Sequence, residues 1–200
     1  MYKMVWKRLL DLILSGIALV VLSPAIWLLM LLIRLDSKGP VLFKQKRVGI
    51  HKTFFTLYKF RTMRVDAPKN IPTHLLENPD SHITRVGHFL RKTSLDELPQ
   101  LINILFGEMS IVGPRPALWN QVDLIAEREK YRANDVRPGL TGWAQINGRD
   151  ELPIDVKARL DGEYVNELSL LMDARCFIGT IKSVLKSDGV VEGGTGQMEK

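Results

Sequence analysis

Hydrophobic residues follow two patterns along the chain: one long uninterrupted run near the start, and shorter periodic runs afterwards. The long run extends from Leu12 to Ile33 without a charged residue. As one helix it would measure about 33 Å, close to the ~30 Å hydrocarbon core of a bilayer. The run therefore predicts a membrane segment. Ser23-Pro24 lies at its midpoint, where proline removes a helical hydrogen bond.

Basic residues flank this segment on both sides, and basic flanks belong on the cytoplasmic side of a membrane. They are Lys3, Lys7 and Arg8 before the run, and Arg34, Lys38, Lys44, Lys46 and Arg47 after it. A crossing helix would leave one flank outside, so we expect residues 1–38 to form a re-entrant helix–break–helix anchor. The break is expected at Ser23-Pro24, with the Ser23 hydroxyl as a partner for a freed backbone group. A spanning helix is the alternative. A signal peptide fits less well, because the run is too long and no small-residue cleavage site follows it.

Two runs with strand-like composition follow, at residues 41–43 and 53–58, and residues 45–49 between them predict a turn. Lys59 and Arg61 come directly after the second run and would share one face of an extended segment. Two interpretations remain open for these cations. Strand edges commonly carry lysine for solubility, whereas a functional pair would contact a phosphate or a lipid headgroup.

Helical periodicity returns on both sides of a pair of adjacent carboxylates, Asp96 and Glu97. Residues 83–92 predict a short amphipathic helix, and the apolar positions of residues 95–106 predict a second one. If the second helix begins near Asp96, both carboxylates lie at the positive end of its dipole, which favours their ionised forms. Ser94-x-x-Glu97 also fits a capping box, which is a purely structural device.

The residues around this pair favour a chemical role for it. Arg91, near the end of the first helix, could pair with the carboxylates or hold a substrate phosphate. The sequence Gly113-Pro114-Arg115-Pro116 fixes the backbone of Arg115 between two prolines, which suits an arginine that must hold a phosphate in one orientation. An ionised carboxylate in such a setting suits a nucleophile or a metal ligand.

Composition narrows the classes of protein that fit. The 200 residues suggest one domain, and 46% hydrophobic residues are ample for a core. A charge of +6 suits nucleic acid, anionic lipid or a phosphorylated substrate. Nucleic acid is disfavoured, because it leaves the apolar N-terminus unexplained and few aromatic residues lie among the cations. The single cysteine, Cys176, excludes an internal disulfide and a cysteine-based zinc site and indicates a reducing compartment.

Several motifs together resemble the bacterial sugar transferase family, the monotopic polyprenyl-phosphate phosphoglycosyltransferases. They are Lys7-Arg8-x-x-Asp11, Ser23-Pro24, Phe43-x-Gln45-x-Arg47-x-Gly49, residues 58–63, Asp96-Glu97-Leu98-Pro99-Gln100-Leu101, Gly107-Glu108-Met109-Ser110, Gly113-Pro114-Arg115-Pro116, residues 136–142 and residues 145–149. The chain length is similar to that of the small, PglC-like members. The resemblance implies an enzyme that transfers a sugar-1-phosphate from a UDP-sugar to undecaprenyl phosphate and releases UMP, as the first membrane step of glycoconjugate assembly.

The resemblance also implies roles for individual residues. Asp96 would attack the phosphate bonded to the sugar and form a covalent phosphosugar-enzyme, and Glu97, with Asp96, would hold Mg²⁺. Lys59, Arg91 and Arg115 match family positions near the phosphates or the metal. Direct transfer in a ternary complex is the alternative mechanism, and a membrane-anchored scaffold without activity is the alternative function.

The C-terminal half supplies further candidate residues. Residues 135–149 are rich in proline and glycine and predict a loop, where binding groups concentrate. We assign four of its residues to the uridine or phosphate region, with a satisfied loop role as the alternative: Arg137, Thr141, Gln145 and Arg149. The apolar spacing of residues 168–185 is amphipathic and fits either the core or the bilayer interface. Residues 189–200 predict a flexible polar tail.

These inferences combine into one expected architecture. We expect an α/β fold that is mostly helical, with the anchor at residues 1–38 and a compact cytosolic domain at residues 39–188. That domain would contain a small sheet and interfacial amphipathic helices. The protein would be monotopic at the cytoplasmic face of the bacterial inner membrane. Its apolar surface could contact either membrane lipid or a second copy of the chain in a homodimer, and the sequence does not decide between them.

Overall fold

A computed structural model describes residues 2–68, 79–148 and 152–186. Arg149 and the predicted tail at residues 189–200 lie outside this described part. The fold is mostly helical with two small two-stranded sheets, as expected at this coarse level. Its helices and strands are α1 (Lys7–Asp36), β1 (Leu42–Val48), β2 (Phe54–Phe60), α2 (Arg85–Lys92), α3 (Gln100–Phe106), β3 (Ser110–Val112), α4 (Val122–Glu129), β4 (Gly139–Thr141), α5 (Trp143–Ile146), α6 (Ile154–Asn166) and α7 (Leu170–Lys186).

Helix α1 is continuous through Pro24, so the expected break into two helices is not found. Proline cannot donate to the carbonyl four residues earlier, which is that of Val20. The Ser23 hydroxyl donates to this carbonyl at 2.8 Å, and it thereby fills the role predicted for it. The missing bond is thus replaced locally, which explains why the helix persists across the proline.

Both ends of α1 are attached to the same folded body. Near the start, Arg8 donates to the carbonyl of Ile104 at 2.6 Å, and Asp11 accepts from the backbone of Ile111 at 2.9 Å. At the other end, Asp36 accepts from the backbone N–H of Val86 at 3.0 Å. Between these attachments α1 is long and apolar enough to cross a membrane, and only 11% of its most apolar window is buried. A core helix of a soluble protein would be mostly covered.

Strands β1 and β2 form an antiparallel hairpin in which Leu42 pairs with Phe60 and Val48 with Phe54. The predicted turn at residues 45–49 is wrong, because β1 continues to Val48. Reversal occurs at residues 49–53, where His51 and Lys52 adopt positive φ. The buried face of β2 packs with α1 and α3 in one apolar cluster, which fixes the hairpin beside the carboxylate pair.

Strands β3 and β4 pair in parallel at a very close approach that requires glycine. A Cβ atom on Gly139 would lie 2.1 Å from the nitrogen of Gly113, and one on Gly142 would lie 2.1 Å from the Gly113 oxygen. The prediction of a loop throughout residues 135–149 is therefore wrong in part, since this stretch contains β4 and α5. Its glycines allow two backbones to approach, and they do not only mark turns.

Helix α7 is amphipathic as predicted, and it has a core face and an exposed apolar face. Met172 and Cys176 are buried in a cluster with β3 and α6. Within residues 170–183 of α7, the exposed large apolar side chains are Leu170, Leu171, Phe177, Ile178 and Ile181. Thus the core face of α7 is observed, while its exposed apolar face is still compatible with a bilayer interface.

Candidate active site

Asp96 and Glu97 lie in a single 3₁₀ turn, Leu95–Glu97, and not in the first turn of a helix as predicted. Helix α3 begins only at Gln100, with Pro99 at its N-cap position. Ser94 has φ 56° and its side chain makes no capping hydrogen bond, so the capping-box interpretation is also wrong. Leu98 keeps helical φ and ψ, but Pro99 has no backbone N–H to donate to the carbonyl of Leu95, so a regular α-helix that began at Leu95 would lack this hydrogen bond.

Two cations converge on the carboxylate pair from separate elements. Lys59 Nζ from β2 lies 2.6 Å from Oε1 of Glu97 and 3.7 Å from Oδ2 of Asp96. Arg115 Nη2, from the turn after β3, lies 2.9 Å from the same Oε1. The two carboxylates are mostly buried, at 13% and 16% side-chain exposure. Charge-assisted contacts of this length fix Glu97 more firmly than Asp96.

These surroundings separate the two carboxylates electrostatically. Burial raises the pKa of Asp96 above its ordinary value, Lys59 opposes this shift, and the negative charge of Glu97 adds to it. Burial also opposes ionisation of Glu97, but Arg115 and Lys59 outweigh it and hold its pKa well below the usual range. Glu97 is therefore a fixed anion, whereas Asp96, with its raised pKa, is the more basic of the two carboxylates. Such a group is a better nucleophile than one already held in a tight ion pair.

The pair opens onto a cavity of about 1110 Å³. Most of the residues predicted for the site line it: Lys59, Arg61, Arg91, Asp96, Glu97, Arg115, Thr141 and Gln145. This volume exceeds the upper end of the ~300–1,000 Å³ common for small-ligand sites. The cavity is thus large enough for a nucleotide-sized substrate.

Arg61 and Arg91 border this cavity in different ways. The Arg61 guanidinium is buried and donates to the carbonyls of Lys38 and Ser37 at 2.7 and 2.8 Å. It therefore holds the chain that leaves α1, which is a structural task. Arg91 donates from Nε to the Thr62 hydroxyl at 2.9 Å, and its charge acts on Asp96.

Of the residues predicted from 135–149 that the structure describes, Arg137 is separated from Thr141 and Gln145. Arg137 lies outside the cavity lining and donates to the carbonyl of Gly107 at 2.8 Å. Thr141 hydrogen-bonds through its hydroxyl to Thr180. Gln145 donates to the carbonyl of Leu140 at 3.0 Å. Only the latter two line the cavity, so the placement of Arg137 argues against direct contact with substrate there.

Several polar residues line the cavity without having been predicted as site residues, among them Gln45, Arg47, Arg128 and Asp161. Gln45 and Arg47 alternate on β1, so a strand extended through residues 45–49 would have placed both on one face. Arg128 and Asp161 belong to α4 and α6. No local pattern connects them, because their contact depends on how the two helices pack.

The donor set near the pair fits a magnesium ion. Mg²⁺ usually takes one or two carboxylates and completes its shell with water and substrate phosphate. Within residues 2–68, 79–148 and 152–186 there is no cluster of three or more histidine, cysteine or acidic side chains that could hold a metal. Lys59 and Arg115 both bind Oε1 of Glu97, so Oε2 is the oxygen of Glu97 that could ligate a metal ion beside Asp96. The residues therefore fit a shared protein–phosphate site.

Comparison with known proteins identifies the family. A sequence model of the bacterial sugar transferases matches residues 2–187. The chain belongs to the bacterial sugar transferase family. It is 43% identical over 188 residues to the uncharacterized sugar transferase EpsL of Bacillus subtilis, with 94% of this chain and 91% of that protein covered.

Two further bacterial sugar transferases carry names that state a substrate. The UDP-glucose:undecaprenyl-phosphate glucose-1-phosphate transferase of Escherichia coli is 40% identical over 188 residues, which cover 88% of this chain and 39% of that protein. The undecaprenyl-phosphate galactose phosphotransferase of Salmonella typhimurium is 36% identical over 197 residues, with 92% and 41% covered. The chain thus spans about two fifths of the length of these two relatives.

Proposed function

We propose that this chain transfers a sugar-1-phosphate from a UDP-sugar to undecaprenyl phosphate, giving undecaprenyl-diphosphate sugar and UMP. One observation carries the proposal: Asp96 and Glu97 lie side by side under Lys59 and Arg115 at the wall of a large cavity. The names of the two substrate-specified relatives support the substrate classes. Such a reaction would be the first membrane step in assembling a polysaccharide or another glycoconjugate.

The proposed reaction proceeds through two displacements at one phosphorus atom. In the first, an Asp96 carboxylate oxygen attacks the phosphorus that carries the sugar, the bond to the UMP oxygen breaks, and UMP leaves with that electron pair. The product is an aspartyl phosphosugar. In the second, an oxygen of undecaprenyl phosphate attacks the same phosphorus and the acyl-phosphate bond breaks. Asp96 is released as a carboxylate, so charge and atoms balance without a net proton transfer.

The cations of the site reduce the main barrier to this reaction, which is the approach of one anion to another. Lys59 and Arg115 already lie at the carboxylate pair, and preorganised cations stabilise charge that develops in a transition state. Mg²⁺ held by Glu97 and Asp96 would neutralise charge on the diphosphate. Glu97 is thus proposed as a metal ligand and Asp96 as the nucleophile.

We further propose a monotopic arrangement at the cytoplasmic face of the bacterial inner membrane. Both ends of α1 are bound to one folded body, at Arg8 and at Asp36. A helix that crossed the bilayer would carry one of these ends to the opposite side and break its contacts. A proline can bend a helix without ending it, and a bend at Pro24 would let the exposed apolar middle of α1 enter the membrane and return to the same side. The exposed face of α7 would lie at the interface.

Incubation of the detergent-solubilised protein with a panel of UDP-sugars and Mg²⁺, with UMP release as the readout, tests the proposal and selects the sugar. With the correct donor alone, the intact mass should increase by one phosphosugar. UMP release that requires undecaprenyl phosphate and leaves no adduct would favour direct transfer. No release with any donor in a broad panel would favour a non-enzymatic scaffold.

A further inference from the structure

The turn that carries Arg115 (residues 113–116) is held from outside by other elements. Two of its four residues are prolines without an N–H, so it has few donors with which to stabilise itself. Three successive carbonyl oxygens of the turn, and that of the next residue, Ala117, each accept a hydrogen bond from elsewhere. The pairs are Gly139 N to Pro114 O at 2.9 Å, Arg128 Nη1 to Arg115 O at 3.0 Å, Arg47 Nη1 to Pro116 O at 2.8 Å and Val48 N to Ala117 O at 3.0 Å.

Among these donors, Arg128 is the one bound to Arg115 itself. Its guanidinium also donates from Nε and Nη2 to Oδ2 of Asp161, at 2.8 and 2.6 Å. Thus Nε and Nη2 of the planar guanidinium bind the carboxylate of Asp161, and the remaining nitrogen, Nη1, binds the carbonyl oxygen of Arg115. A lysine ammonium could neutralise Asp161, but it lacks the planar fork that reaches both partners in a fixed geometry.

The pair is too buried to act mainly by touching substrate. The side chains of Arg128 and Asp161 are 5% and 1% exposed, although both border the cavity wall. Arg115 by contrast is 38% exposed. A side chain with that much freedom keeps one position only if its backbone is fixed.

Close packing of α4 and α6 sets the position of the buried pair. Gly162 follows Asp161 on α6, and a Cβ atom there would lie 2.5 Å from the Cβ of Tyr131, just after α4. Glycine thus allows the two segments to approach closely. The contact between Arg128 and Asp161 is a consequence of this approach.

We infer that Arg128 and Asp161 are positioning residues that set the backbone of Arg115, and through it the place of its guanidinium at Glu97 and the transferred phosphate. This inference rests on the proposed function. A charge pair buried away from solvent is a rigid support, because breaking it would leave an uncompensated charge. The reaction depends on that support through Arg115 alone.

A double-mutant cycle in the full chain, measured as the rate of phosphosugar adduct formation at subsaturating donor, tests the inference. The four proteins are the natural chain, Arg128→Lys, Arg115→Ala and the double variant, followed by intact mass over hours so that slow reactions remain measurable. Arg128→Lys should slow adduct formation by about 10- to 100-fold when Arg115 is present, since ~1 Å of misplacement can cost this much. With Arg115→Ala the same change should cost less than about twofold, because coupled residues are not additive.

An equal loss in both Arg115 backgrounds would overturn the inference, since it would mean that Arg128 acts on folding or on another group. Absence of any adduct in the natural chain would instead reject the proposed function, so the two failures are distinguishable. If Arg128→Lys does not fold, Asp161→Asn enters the same cycle with the same expectation. It removes the charge but keeps an oxygen acceptor for Arg128.

Asp173→Asn is a matched control for general destabilisation. Asp173 forms a comparably buried ion pair with Lys7 at 2.6 Å, with 11% and 12% exposure, and this pair makes no hydrogen bond to the Arg115 turn. If Asp173→Asn slows adduct formation, it should do so by the same factor in the natural chain and in the Arg115→Ala variant. Melting temperatures of all variants report the folded fraction at the assay temperature.

Discussion

Asp96 and Glu97 are adjacent residues with different surroundings, and the difference separates their proposed tasks. Oε1 of Glu97 accepts from both Lys59 and Arg115. Asp96 has one longer contact, 3.7 Å from Lys59. The firmly held carboxylate suits a stationary ligand, and the less compensated one suits a group that must move toward phosphorus.

Asp96→Asn and Glu97→Gln should therefore fail in different ways. Asparagine cannot form the aspartyl phosphosugar, so adduct formation and turnover should fall on the order of 10³-fold or more. Glutamine at position 97 should retain some adduct formation but require a higher Mg²⁺ concentration. Intact mass and a Mg²⁺ titration of UMP release measure the two effects. Normal turnover by Asp96→Asn would contradict the covalent route.

The lone cysteine should be chemically inert in the folded protein. Cys176 is fully buried, and burial together with the negative charge of Asp173 raises the pKa of its thiol to about 12. A raised pKa means that the reactive thiolate forms only as pH approaches 12. Iodoacetamide at pH 8 should thus leave the native protein unmodified and alkylate it after unfolding. Rapid alkylation without loss of structure would contradict this packing.

At the level of elements, the close pairing of β3 and β4 holds the Arg115 turn against the rest of the site. Gly113 donates its N–H to the carbonyl of Thr141 at 2.8 Å, and Gly139 donates to that of Pro114 at 2.9 Å. Both bonds require two backbones closer than any side chain would allow. The turn and the two strands therefore form one rigid unit, in which a shift of either strand would also move the turn.

Gly139→Ala should disturb that unit. The new Cβ would lie 2.1 Å from the nitrogen of Gly113, so the strands must separate, at a cost of about 1–3 kcal/mol in folding stability. Adduct formation should also fall, because the Arg115 turn moves with β3. Gly16→Ala is the matched control: its Cβ meets nothing within 4 Å, and alanine favours a helix. Equal melting temperatures for the two variants would contradict the packing argument.

At the scale of the whole molecule, the apolar helix and the catalytic residues are parts of one body. The carbonyls that Arg8 binds belong to the end of α3, and α3 begins at Gln100, shortly after Asp96 and Glu97. If α1 lies in a bilayer as proposed, it would hold Asp96 and Glu97 at a constant height above the lipid. The proposed transfer from a soluble donor to a lipid acceptor would benefit from this constraint.

Labelling in intact cells tests the side on which the N-terminus lies. Val5 is 59% exposed, so Val5→Cys supplies an accessible thiol, and buried Cys176 gives little background. A membrane-impermeant maleimide should label Val5→Cys only after the inner membrane is permeabilised. Efficient labelling of intact spheroplasts would show that the N-terminus is periplasmic, and the re-entrant proposal would be wrong.

Local periodicity in the sequence was sufficient for several elements. The amphipathic patterns predicted α2 and α7, because each pattern reflects one helix and one continuous face. The apolar run predicted helical structure where α1 lies, but the expected break at Ser23-Pro24 was wrong. Ser23 was also correctly predicted as a backbone partner at Pro24, since both residues belong to the same turn. The carboxylate pair and Arg115 stood out because unusual residues lie close together in the chain.

Features that depend on distant contacts were decided only by the tertiary structure. Residues 45–49 and Ser94 each fit a turn or a cap locally, but strand pairing and Pro99 selected other conformations. Arg137 belongs to a motif near the site, yet it folds against the end of α3. No local sequence pattern predicted the pair formed by Arg128 and Asp161, because it forms only when α4 and α6 pack together. The sequence by itself thus determined which chemical groups are available to this protein. The tertiary structure decided which charged groups come into contact, because the order of residues along the chain does not give the distance between remote segments.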